Sequence, residues 1–227
     1  MKGAQRLDAL LARKRALDSP ACRTAGFTAS LTRLRIWQAA RLARTYQDFH
    51  DDPRYAPALA FFLSDLYGPQ EFPERNRDLR RALTYLKRAL PAALLKVLAQ
   101  AIELDVLTLE LDHAMVRALG ASPVSDATYA AAYRSAADTA SRIRQIDLIV
   151  GIGEDLARVV RKAWIGPLLQ AAHVPAHAAG FGALQDFLER GHAAFRQMQG
   201  GGRLLQAIRE RETQFMHMML GGEAVHD

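Results

Sequence analysis

The chain has 227 residues, 50% hydrophobic and 24% charged, a balance typical of folded globular domains that excludes a disordered chain. Its net charge of +6 is uneven: residues 1–50 carry ten Lys/Arg against three Asp, so they hold +7 and the remainder −1. No apolar run approaches the ~20 residues of a bilayer span, no secretory leader opens the sequence, and a single cysteine, Cys22, excludes an internal disulfide and fits a reducing cytoplasm.

Apolar residues recur with helical period from end to end, and no stretch alternates with period two. The expected fold is therefore all-α, a multi-helix bundle of about eight to nine helices forming one domain over residues 1–227. A helix over 4–17 and a second over 27–50 form a basic N-terminal pair, about 4–50, packed on or flanking that bundle. The apolar stripe of the second helix, Phe27, Leu31, Leu34, Leu42 and Phe49, also contains Gln38, Arg41 and Thr45. A third helix, 54–67, carries the stripe Tyr55, Ala58, Leu59, Phe62 and Leu66, with Asp65 at its flank. A fourth spans 74–89. Pro53, Pro57, Pro73 and Pro91 stand at helix starts, where a missing N–H costs little.

The helix expected over 91–119 has a wet side of Lys96, Gln100, Glu103, Glu110 and Arg117. Asp105 and Asp112, one heptad apart, fall on the opposite side among Leu98, Leu109 and Val116. The next helix, 125–163, starts at a Ser125 cap and places Arg142 in the stripe Ile146, Ile149, Gly153, Leu156 and Val160. After a short helix at 165–172, the stretch GPLLQAAHVPAHAAGFG, residues 166–182, reads as an elbow because prolines and glycines interrupt it. Helices over 182–199 and 202–219 complete the chain, the last placing Glu212 among Leu205, Ile208, Phe215 and Met219.

Six charges thus stand on or beside apolar faces: Arg41, Asp65, Asp105, Asp112, Arg142 and Glu212. A carboxylate buried without a partner costs several kcal/mol or is neutralised. The aspartates are therefore expected inside, with at least one paired to Arg41 or Arg142, since a guanidinium meets a carboxylate with two parallel hydrogen bonds. Such a set is either a network that fixes helix register or a polar site for a ligand.

Chemical motifs are sparse. Glu110/His113, Glu189/His192 and Glu223/His226 each have Glu-x-x-His spacing, half of the di-iron carboxylate pattern. Glu110 falls on the wet side of its helix, Glu189 points away from its apolar stripe, and the third pair lies at the chain end, so no metal site is expected. No histidine among His50, His173, His177 and His192 is central to an apolar stripe, which argues against haem. GIGEDL follows no strand, which argues against a nucleotide fingerprint. No cofactor is expected.

At residues 61–68 the sequence FFLSDLYG resembles the bacterial proteins named for an FFLEELY motif. The likeness continues through DLRRAL, LPAALLKVLAQAIELDVLTLELD, VRKAWIGPLLQ and GALQDFLERG, covering most of the chain from about residue 55 onward. Ser64-Asp65 replaces the Glu-Glu of the motif, so one carboxylate position is kept in type and the other is lost. The resemblance implies a helical fold and a bacterial setting and supplies no reaction. The reading is a non-enzymatic cytoplasmic binding or regulatory module for a protein or small-molecule partner. The alternative is a small-molecule-binding protein or enzyme built on the internal Arg/Asp/Glu set. An acidic partner at the basic N-terminal helices is the weakest of the options.

Overall fold

A computed structural model describes residues 2–19, 24–66, 78, 81–83, 92–136, 138–198 and 201–221, with the backbone alone for 2–5, 65, 66, 92 and 93. It is all-helical, with no strand among the described residues. In chain order the helices are α1 (Lys2–Leu17), α2 (Ala25–Thr45), α3 (Gln47–His50) and α4 (Ala56–Phe61), the last continued by a π turn, Phe62–Leu66. They are followed by α5 (Ala92–Leu119), α6 (Asp126–Ser135), α7 (Thr139–Val159), α8 (Ile165–Ala178), α9 (Gly182–Gln197) and α10 (Gly202–Leu220). The helix expected at 74–89 lies mostly outside the described residues; Asp78 and 81–83 within it are helical.

Three expected elements are cut differently. The helix expected at 27–50 is interrupted at Tyr46, whose backbone leaves helical geometry before α3 begins. The one expected at 125–163 is two helices. Ser125 caps α6, accepting from the Thr128 N–H at 3.3 Å while Thr128 Oγ1 accepts from the Ser125 N–H at 2.9 Å. Asp138 starts α7 in the same way, accepting from the Ser141 N–H at 3.2 Å and its hydroxyl at 2.6 Å. A second cap in mid-run is a second helix start. The elbow expected at 166–182 is largely helix, because α8 runs through Pro175 to Ala178. Pro175 and Ala171, four residues before it, are both exposed, so water can serve the carbonyl that Pro175 leaves unbonded.

Two apolar clusters form the main core. Leu31 and Leu34 of α2 join Leu109, Met115 and Val116 of α5, Tyr129 and Tyr133 of α6 and Met216 of α10. At the other end of α2, Leu42 joins Tyr46, Phe49, Tyr55 and Leu59, Val150 of α7, and Leu204, Leu205 and Ile208 of α10. Each fully buried leucine or isoleucine contributes about 1.5–3 kcal/mol. A smaller cluster seats α1 on α5 through Leu7, Ile102 and Val106. The helices α2 and α10 therefore run from one main cluster to the other, and their polar residues between the two become the wall of the site.

Phe61, the first residue of FFLSDLY, docks on α9. Phe61 lies 5.2 Å from Phe187 and 6.4 Å from Phe195, centroid to centroid. Its ring comes within 2.9 Å of the place a Cβ on Gly191 would occupy. Two of the stretches that carry the family resemblance thus touch each other. Gly191→Val is expected to destabilise by about 1–3 kcal/mol through overpacking. Gly26→Ala meets nothing within 4 Å and serves as the control. Urea midpoints of the two variants decide the point, and equal midpoints would show that Phe61 yields freely.

Candidate functional site: a polar layer between two apolar cores

Between the two main clusters lies a cavity of about 50 Å³ lined by Gln38 and Arg41 of α2, Asp112 of α5, Tyr133 of α6, Arg142, Gln145, Ile146 and Ile149 of α7, and Glu212 and Phe215 of α10. Four of the six charges flagged by helical phase, Arg41, Asp112, Arg142 and Glu212, meet there.

Among the described residues neither Asp105 nor Asp112 pairs with Arg41 or Arg142. Arg41 Nη1 donates to Glu212 Oε1 at 2.6 Å, and the Tyr46 hydroxyl donates to the same oxygen at 2.9 Å. The Arg41 guanidinium carbon lies 4.2 Å from the Phe215 ring centroid, a cation–π contact. Asp112, 3% exposed, accepts from Arg35 Nε at 3.1 Å and from Gln38 Nε2 at 3.2 Å. Arg35, at the edge of the layer, is the partner that sequence reasoning missed. Its position places it on the side of α2 facing α5, but nothing in the sequence sets its height against Asp112.

Asp105 is a correction. Its side chain is 55% exposed and pairs with Lys14 of α1 at 2.6 Å, outside the interior. Asp105 and Asp112 have nearly the same helical phase; they differ in what lies beside them, α1 at one level and α2 at the other. The Asp65 side chain lies outside the described residues.

Arg142 is the exception in the layer. It is 7% exposed, and no ion pair reaches it among the described residues. Nη1 makes a long contact of 3.5 Å with Gln145 Oε1, while Gln145 Nε2 donates to Thr108 Oγ1 at 2.8 Å. Nε and Nη2 are buried without a hydrogen-bond partner among the described residues. The guanidinium carbon stands 4.3 Å from the Tyr133 ring centroid, which offsets part of the desolvation of the charge. Among the described residues three arginines, Arg35, Arg41 and Arg142, face two carboxylates, Asp112 and Glu212, a surplus of one positive charge.

Burial raises the tyrosine hydroxyls around the cavity. Tyr133 is pushed up to about 12, and Tyr46 is raised by burial and then by the Glu212 charge. Burial pulls Arg41 down, but the charge and hydrogen bond of Glu212 more than offset it, so its pKa is raised.

The N-terminal charge has an internal use. Arg6 pairs with Glu103 at 2.5 Å, Arg13 with Glu110, Lys14 with Asp105, Arg35 with Asp112, and Arg41 with Glu212. Four of those five acids belong to α5. Glu110, expected in water, is thus covered by α1. Arg15, Arg33 and Arg44 are exposed.

A different constellation appears on α8 and α9. His173 Nδ1 lies 2.9 Å from Glu189 Oε1, and His177 Nε2 lies 2.9 Å from Asp186 Oδ1. Hydrogen bonds from Gln185 and then from His173 hold the Glu189 carboxyl below its usual range. Glu189 also borders a wider cleft of about 600 Å³ with Leu169, Gln170, His192 and Arg196. Of the Glu-x-x-His pairs, Glu110 is engaged with Arg13, and His113 is buried edge-on against Phe27 at 4.7 Å. Glu189 faces His173, and Glu223/His226 lies outside the described residues. The signal for the α8–α9 grouping was the four-residue spacing of His173 and His177, hidden by reading that stretch as an elbow.

No helix among the described residues is long and apolar enough to cross a membrane. No curated protein and no solved structure matches the chain. Residues 19–225 match the model of a domain of unknown function (DUF8198), and the chain belongs to that family.

Proposed function

We propose that this chain is a non-enzymatic helical binding module whose polar layer takes up a small carboxylate, either free or as the acidic end of a larger ligand. The carrying observation is the free edge of Arg142. Nε and Nη2 lie on one side of the planar guanidinium, and both are buried and unpartnered in a residue that lines the cavity. Two parallel N–H groups match the two oxygens of a carboxylate, and one negative charge would balance the layer. The cavity volume of about 50 Å³ suits a group of formate or acetate size. Arg41 and Glu212 keep side-chain exposures of 15% and 13%, so the layer is not sealed from solvent.

Holding rather than turnover fits the groups present. Arg41, its pKa raised by Glu212, and Tyr133, pushed up to about 12 by burial, both lie far from the range useful for proton transfer near neutrality. The reading takes residues 1–227 as one helical domain, with the basic pair 4–50 seated on α5. It places the chain beside the bacterial FFLEELY-motif proteins in a cytoplasmic setting.

The test is urea unfolding of the full chain in formate or acetate against chloride at matched ionic strength. A bound carboxylate should stabilise by about 2.7 kcal/mol at a hundred times its Kd. Arg142→Met should abolish that response, and without the anion it should be at least as stable as the parent, because an apolar side chain replaces an unpaired buried charge. An equal carboxylate response in parent and variant would overturn the proposal.

A further inference from the structure

We propose that His173, His177 and Asp186, with Glu189 beside them, hold a divalent transition-metal ion of the zinc class on the α8–α9 hairpin. One ring nitrogen from each histidine and one Asp186 oxygen lie within 4.8 Å of one another. Tetrahedral zinc with ligands at about 2.1 Å needs its ligand atoms roughly 3.4 Å apart. The three side chains are surface-facing, so rotations of about an ångström close the difference.

The chemistry selects the ion. Two imidazoles favour zinc, nickel, cobalt or copper over calcium and magnesium, which prefer oxygen. The Asp186 and Glu189 carboxylates together balance a divalent charge. The imidazole rings stand 4.5 Å apart at 40°, close enough for one ion to draw a ligand from each.

Two further features shape the cluster, and ordinary surface ion pairs need neither. Gln185, 5% exposed, donates to the Leu169 carbonyl at 2.7 Å and to Glu189 Oε1 at 2.8 Å. It therefore fixes the carboxylate that meets His173, the kind of outer support that orients metal-bound histidines. Gly182, at the start of α9, gives His177 its space: a Cβ there would stand 2.7 Å from Nδ1. The proposal rests on the hairpin alone and is independent of the anion cavity.

The experiment uses the full chain after chelator treatment, titrated with Zn²⁺ by calorimetry and with Co²⁺ by visible absorbance. One equivalent should bind, and the cobalt bands should report nitrogen and oxygen ligands. His173→Ala, His177→Ala and Asp186→Asn should each weaken binding at least tenfold. Gly182→Ala should weaken it through displacement of His177, while His217→Ala on α10 should leave it unchanged. Circular dichroism should show all variants folded, since the changed residues are at the surface. Absence of saturable one-to-one binding would overturn the proposal. So would a His173→Ala/His177→Ala double variant that binds as tightly as the parent.

Discussion

Glu212→Ala is expected to unfold about 3–5 kcal/mol more easily than the parent chain, the usual cost of removing one member of a buried ion pair. The reason lies in what the change leaves behind. Arg41 loses the carboxylate 2.6 Å from Nη1, and its Nε already lacks a partner. The Tyr46 hydroxyl, in a residue 1% exposed, loses its acceptor at the same time. An orphaned buried donor alone costs about 1–3 kcal/mol. The surplus positive charge of the layer would rise from one to two, with Arg41 and Arg142 both unpaired across one cavity. Glu212→Gln keeps the shape and an acceptor while removing the charge, so it should fall between the alanine variant and the parent. Urea unfolding at neutral pH, with free energies extrapolated to water, orders the three chains. A loss below about 1 kcal/mol for Glu212→Ala would place the pair in the class of solvent-screened surface bridges and sink the account of a polar layer.

Helical phase carried the sequence reading a long way and then stopped at a definable point. A period of 3.6 fixes the direction in which each side chain leaves its helix, so Arg41, Asp112, Arg142 and Glu212 were identifiable as inward charges before any contact was known. Phase does not give height along a neighbouring helix. For that reason phase leads to the expectation that at least one of Asp65, Asp105 and Asp112 meets Arg41 or Arg142, whereas Arg41 meets Glu212 and Asp112 meets Arg35. Phase also cannot see an internal cap: Asp138 looks like one polar residue in a long run until its carboxylate is found bonded to Ser141. The α8–α9 histidines were lost for the opposite reason. Proline and glycine signals outweigh a real helix there, and an elbow over 166–182 hides the one-turn spacing of His173 and His177.

Asp112→Ala should destabilise by about 3 kcal/mol or more, whereas Asp105→Ala should cost about 0–1 kcal/mol, although the two residues share a helix and differ in phase by only ~20°. The side chain of Asp112 is 4% exposed and that of Arg35, its partner, 22%. Removing the carboxylate strands Arg35 and takes the acceptor from Gln38 Nε2, itself in a residue 8% exposed. Asp105 is 55% exposed at its side chain, and Lys14 has a second carboxylate, Asp18, at 3.8 Å, so the lysine loses little. Asp112→Asn should recover part of the loss, because its amide oxygen can still accept from one donor but carries no charge for Arg35. The three variants are compared by urea unfolding at one pH and ionic strength, then again at high salt. Screening should shrink the small Asp105 effect further and leave the Asp112 effect nearly intact, since buried pairs are screened far less than exposed ones. If Asp105→Ala and Asp112→Ala lose equal stability, depth along the helix does not separate the two aspartates, and the polar layer between the apolar cores does not exist as described.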